Sequence, residues 1–176
     1  MANEWRDAVI GQLDWYWSKV FRPRLASMED EEYLWEPVEG CWTVRPDAGG
    51  RTVIDWQFPE PEPAPVTTIA WRLCHLGTTL AQRARFHFGD PAMDEGATFL
   101  PLTSGDGVAF VEEGFEAWRS GIEAWRSGVE EAESNAPSTT PHDMAAVLVH
   151  MNREVIHHAA EVALLRDLYR HSAGRA

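Results

Sequence analysis

Four stretches of apolar residues recur at helical spacing, and nothing between them alternates convincingly as a half-buried strand must. That pattern confines the chain to an all-α architecture. The last stripe is the longest: Met144, Val147, Leu148, Met151, Val155, Val162, Leu165 and Leu168 advance around one helix face. Its start is marked by Thr140-Pro141-His142-Asp143, an N-cap threonine followed by a proline at the first helical position and an acid at the third. The first stripe, Trp5, Val9, Leu13, Trp17 and Val20, runs to Arg22, where Pro23 interrupts it, and Ser27 to Trp35 predicts a further short turn. The second, Ile69, Leu73, Leu76, Leu80 and Ala84, opens behind Thr67 or Thr68 as N-cap and closes near Gly89. The third repeats Glu-Ala-Trp-Arg-Ser-Gly at 116–121 and 123–128. It sets Phe115, Ile122 and Val129 at one heptad seat and Trp118 and Trp125 at the other, which is bundle packing. The two tryptophans face either the core or a stacked ligand. The predicted fold is a four-helix bundle, one domain over residues 1–176, with helices at about 3–27, 67–88, 104–133 and 140–171.

Between the first two helices, residues 36–65 read as a long irregular loop. They hold Pro37, Gly40, Pro46, the Gly49-Gly50 pair and an alternating run of prolines from Pro59 to Pro65, which cannot continue a helix. A structureless loop of that length in a small domain is usually functional. Trp35, Trp42, Trp56 and Phe58 predict that it packs down on the bundle.

Charge and cysteine usage narrow the function classes. Fifteen basic against 28 acidic residues give a formal charge of −13, which repels phosphate backbones and anionic headgroups, so neither nucleic acid nor a membrane surface is an expected partner. Cys41 and Cys74 lie far apart with no CxxC pattern, too few for a disulfide scaffold and wrongly spaced for a zinc ribbon. Glu4, Trp5, Arg6 and Asp7 stand where a signal peptide needs an apolar run, and no stretch is apolar enough to span a bilayer. A soluble, cytoplasmic protein is expected.

The fourth stripe is interrupted by polar residues on its core side. Glu154 and His158 are one turn apart, between Met151 and Val162, so both point inward. An unpaired carboxylate there is costly, and a metal ion bound by both would satisfy it. His75 on the second helix, beside Leu76, is the third candidate ligand. Two imidazoles and a carboxylate on two rigid helices hold a divalent ion with positions left open, as catalytic sites do. The bland alternative is a hydrogen-bonded Glu–His pair beside a core histidine. His157 belongs at the site's edge, and Glu161 is either an acceptor for a ligating histidine or solvated. His150 falls on the polar side, and His87, His142 and His171 fall near helix ends. Cys74 reads as a small buried hydrophobe. Asp55, Glu161 and His157 are the general-base candidates.

At these residues the chain resembles the DinB/YfiT-like superfamily of small metalloenzyme bundles, whose best-characterised branch includes the mycothiol-dependent maleylpyruvate isomerases. The likeness is carried by Leu34-Trp35-Glu36-Pro37 through Gly40-Cys41-Trp42-Thr43-Val44-Arg45-Pro46, by Thr67-Thr68-Ile69-Ala70-Trp71-Arg72-Leu73-Cys74-His75-Leu76, and by Arg153-Glu154-Val155-Ile156-His157-His158-Ala159-Ala160-Glu161. Many members pair a second-helix histidine with H-x-x-x-H on the last helix; here Glu154 takes the first place of that pair, as in the isomerase-like branch. The resemblance implies His75, Glu154 and His158 as ligands of a divalent ion, most simply zinc, with nickel, iron or manganese as alternatives. It further implies a thiol-dependent transferase or isomerase acting on a small electrophile with a low-molecular-weight thiol such as mycothiol, in a chain that forms a homodimer. Two other functions remain open: a non-catalytic metal- or small-molecule-binding bundle, and a metal-dependent hydrolase.

Overall fold

In a computed structural model, which describes residues 4–89, 100–126 and 144–173, the chain is mostly helical. The long helices are α1 (Glu4–Tyr16), α4 (Ile69–Phe88), α5 (Ser104–Arg126) and α6 (Met144–Ala173), with short turns α2 (Arg22–Leu25) and α3 (Asp30–Tyr33) after the first. Among the described residues, no helix is long and apolar enough to cross a membrane.

The predicted first helix changes form where Pro23 approaches. Residues Trp17–Phe21 widen into a π-helical segment, and the N–H of Arg22 reaches back five residues to the carbonyl of Trp17. Proline has no N–H to continue the ladder, and the slackened turn places it at the start of α2 instead. At the second predicted helix, Thr68 rather than Thr67 is the N-cap: its Oγ1 accepts from the Trp71 N–H at 3.1 Å. Gly89, at φ 66°, turns the chain out of α4 in the left-handed region. The expected end of the third helix at Glu133, its seat at Val129, and the Thr140–Asp143 start signal lie outside the described residues.

The 36–65 segment is not wholly irregular. Val44–Pro46 (β1) and Thr52–Ile54 (β2) pair antiparallel, Val44 opposite Ile54 and Pro46 opposite Thr52. Strands of three residues are too short to show alternation, so the hairpin escapes a pattern search. Its turn is tied by Asp47, whose Oδ1 accepts from the N–H groups of Gly49 and Arg51. Trp42 then bridges to Thr67, which fastens the segment beside the start of α4.

The core joins α1, α4, α5 and α6. On α6, Val147, Leu148, Met151, Val155, Val162 and Leu165 are buried as the stripe predicts, but Leu168 is 47% exposed. Trp118 is buried and packs on Phe88, while Trp125 is half-buried under the Arg6 guanidinium, so these rings serve packing. Helices α4 and α5 touch through glycines: a Cβ on Gly114 would sit 2.7 Å from the Gly77 carbonyl oxygen. A buried ion pair locks α6 to the α2–α3 region. Arg166 donates to both carboxylate oxygens of Glu32, at 2.7 and 2.9 Å, and its Nη1 donates to the carbonyls of Arg24 and Ala26.

Two expected outcomes follow from this packing. Gly114→Ala has backbone, not a yielding side chain, in its way and loses about 1–3 kcal/mol in urea unfolding. Arg166→Ala strands a buried carboxylate and loses about 3–5 kcal/mol, more than the Glu32→Leu/Arg166→Leu pair, which strands neither charge.

Candidate metal centre

Helical spacing does the first part of the positioning. On α6, Glu154, His158 and Glu161 follow one another at four and three residues and share a face. On α4, Arg72 and His75 are three apart and face them. One nitrogen of His75, one carboxylate oxygen of Glu154 and one nitrogen of His158 all lie within 4.8 Å of one another. The two imidazoles meet edge to face, centroids 4.9 Å apart and planes at 83°.

His158 is held by Glu161. Its Nδ1 lies 2.8 Å from Glu161 Oε2, and Arg72 holds the other oxygen of that carboxylate at 3.0 Å. Burial pushes the Glu161 carboxyl up, but the His158 hydrogen bond and the Arg72 charge outweigh it and hold the group below its ordinary range. Glu161 is therefore a carboxylate and can only accept, so the Nδ1 of a neutral His158 carries the proton. A longer contact, 3.4 Å from Arg72 Nη1 to the same nitrogen, does not compete. The Nε2 lone pair of His158 then faces Glu154 Oε2 at 3.4 Å.

Glu154 is an acceptor as well. Burial raises its carboxyl, yet the hydrogen bond from Arg153 and the neighbouring His150 and His158 leave it below the ordinary range. His75 is driven the other way, down to about 4, by burial first and by His158 second, so near neutral pH its lone pair is available. A nitrogen of each imidazole and a carboxylate oxygen thus converge on one point. A divalent cation bound there would satisfy all three donors. Donors bonded to one tetrahedral ion at about 2.0–2.1 Å stand roughly 3.4 Å apart, which the His158–Glu154 distance matches. The residues present fit a divalent metal.

Aromatic rings enclose the α4 side. The Trp71 ring lies against His75 with centroids 4.9 Å apart and planes within 12°, and its indole N–H donates to the Asp55 carbonyl at 2.8 Å. Trp42 and Trp56 adjoin Trp71. The wall is built from the loop and α4, whereas the α5 residue Trp118 packs near the far end of α4, on Phe88.

Other expectations sort as follows. Asp55 is spent structurally, accepting from the Thr43 N–H and from Arg45, so it is no general base. His157 is at the rim, its side chain 63% exposed and 3.5 Å from Glu161. His150 lies 3.5 Å from Glu154, nearer the centre than a purely polar face implies. His87 is buried between Phe86 and Phe88, not solvated, and His142 lies outside the described residues. Cys74 is buried and contacts the Tyr33 hydroxyl at 3.7 Å. Arg72 was missed; the signal available was a basic residue one turn before His75, opposite an acid one turn after His158. A groove of about 610 Å³ between α1 and α5 shares no lining residue with the triad.

The family model described as DinB superfamily matches residues 12–162. The chain belongs to the DinB superfamily. No curated protein matches the chain, and no solved structure does. Membership agrees with the mostly helical fold, and the described residues of this DinB protein bring His75, Glu154 and His158 together on α4 and α6.

The hydrogen bond from His158 to Glu161 sets a tautomer that can be read directly. In ¹⁵N NMR of the metal-free protein, neutral His158 is expected mainly as the Nδ1–H form, and Glu161→Ala shifts it toward Nε2–H.

Proposed function

We propose that His75, Glu154 and His158 hold one divalent cation and that the protein is a metal-dependent enzyme, a transferase or isomerase that joins a small thiol to a small electrophile. Zinc suits two imidazoles and a carboxylate, and nickel, iron and manganese are further occupants this donor set accepts. The observation that carries the reading is the convergence of one nitrogen of His75, one carboxylate oxygen of Glu154 and one nitrogen of His158, all within 4.8 Å of one another. When bound, a divalent ion lowers the pKa of a coordinated thiol, which makes its sulfur nucleophilic near neutral pH.

The chain's own residues do the rest. Glu161 fixes the ring of His158, and Arg72 fixes Glu161, so the donor stays aimed without a cost in reorganisation. Trp71, anchored through Asp55, shields one side of His75 from water. His157 stands at the exposed rim, 3.5 Å from Glu161. The four long helices, read as a DinB bundle, keep these groups on rigid elements. Mycothiol as the thiol rests on the family resemblance, as does pairing of two copies.

Elemental analysis of the purified protein is expected to find close to one divalent ion per chain. Glu154→Ala and His158→Ala lose it while far-UV circular dichroism stays nearly unchanged, because the apolar stripes hold the helices independently. With metal present, the protein speeds the displacement of chloride from 1-chloro-2,4-dinitrobenzene by a small thiol above the uncatalysed rate, and the two variants do not. Retention of metal by both variants overturns the ligand set. A metal-loaded protein that neither consumes thiol, nor speeds thiol-dependent cis–trans isomerisation of a conjugated alkene, nor cleaves simple esters is a binding protein instead, and ester hydrolysis without thiol makes it a hydrolase.

A further inference from the structure

Beside the triad the protein holds aromatic surface out in water. Trp56 is 62% exposed and Phe58, two residues on, is 89% exposed. The rings of Trp56, Trp71 and His75 are parallel to within 12°. Their centroids stand 6.2 Å apart for Trp56–Trp71, 4.9 Å for Trp71–His75 and 6.3 Å for Trp56–His75. Three parallel rings at the corners of a triangle cannot form a sandwich column. They are offset ring faces, with Trp56 standing about equally far from Trp71 and from His75. Trp42 flanks them, 6.1 Å from Trp56 and 6.0 Å from Trp71, its plane tilted by 38° and 35°.

This surface is set in place rather than left loose. Asp55, the residue before Trp56, is tied at three points: its N–H donates to the Thr43 carbonyl, its carboxylate accepts from the Thr43 N–H, and its carbonyl accepts from the Trp71 indole. A free aromatic side chain would fold onto its neighbours to lose water. One held rigid with a face open is preorganised for a partner.

We propose that Trp56, backed by Trp42 and Trp71, is the docking surface for a planar, conjugated ring of a small molecule, whose edge then faces His75 and the metal centre. Ring faces attract flat π systems by offset stacking. The indole N–H of Trp71 is already spent on Asp55, so recognition here is by ring face and not by that donor. A single indole face matches one small planar ring in size, and a stable protein interface is far larger. The net charge of −13 disfavours an anionic ligand. The inference deepens the metal-centre reading by naming its substrate class, a planar conjugated electrophile. It rests on that reading for the reaction but not for docking.

The test titrates the zinc-loaded full chain with naphthalene-2-carboxamide and with its decahydro counterpart, followed by NMR of the indole N–H signals. The aromatic amide is expected to bind roughly tenfold tighter than the saturated one, as stacking on an aromatic side chain implies. Trp56→Ala weakens it by a similar roughly tenfold factor, Trp56→Phe restores most of the loss, and Trp15→Ala, an exposed tryptophan on α1, changes nothing. Equal affinity for the saturated amide, or an unaffected Trp56→Ala, overturns the proposal. Repeating the titration on Glu154→Ala separates the two readings. Loss of metal with Trp56-dependent binding intact leaves docking standing alone, and a metal-bearing protein indifferent to the aromatic amide defeats docking while the centre survives.

Discussion

The hydroxyl of Thr68 joins a helix to a loop in the buried part of the molecule. It accepts from the Trp71 N–H as the cap of α4, and it shares a hydrogen bond with the Thr43 hydroxyl at 2.9 Å. The backbone beside it completes the joint, the Thr68 N–H donating to the Trp42 carbonyl and the Trp42 N–H to that of Val66, both at 2.9 Å. Apolar residues such as Cys41, Val44 and Ile54 hold the segment against the bundle but do not by themselves fix its register. These hydrogen bonds, out of water, set its place. From there the register propagates: Thr43 holds Asp55, Asp55 holds Trp71, and Trp71 lies on His75.

The other half of the site depends on where α6 stops along its axis. Apolar stripes permit small slides, because one methyl-lined groove resembles the next. A buried ion pair does not, since a slide would leave both charges unpaired in a medium that cannot solvate them. Arg166 lies eight residues beyond His158, roughly 12 Å along the same helix, so its grip on Glu32 also fixes the height of Glu154, His158 and Glu161. The glycine contact between α4 and α5 acts likewise on His75, holding α4 close to its neighbour where a larger residue would push it away.

What was legible in the sequence follows from length scale. A stripe of eight apolar residues states its helix and its buried face, so the core and the inward direction of Glu154 and His158 could be read without coordinates. His75 was legible because it interrupts nothing and sits beside a stripe residue, so the topology alone brings it across. The hairpin was not legible, since three-residue strands carry no period, and the π-helical turn before Pro23 was visible only as an interruption. The Glu32–Arg166 pair was missed because its members are far apart in sequence and each looks solvated by itself. The tryptophans of α5 invited a ligand-stacking role, but Trp118 lies roughly 20 Å along α4 from His75, about the rise of the 13 residues between His75 and Phe88. The wall came instead from residues whose loop carries no periodicity to predict where it lands.

Charge separates the labour within the centre. Two carboxylates, Glu154 and Glu161, flank His158; Arg72 pairs with Glu161, while Arg153 meets Glu154 through Oε1 and leaves Oε2 turned to His158. Carboxylate oxygens turned to one point lower the free energy of a cation placed among them. Arg72 must stay with Glu161 for this to work: were it to swing to Glu154, the cation's place would be taken by a guanidinium. Stacking helps prevent that, since its guanidinium carbon sits 4.9 Å over the Trp71 ring. The same indole that borders His75 thus also keeps the competing charge away.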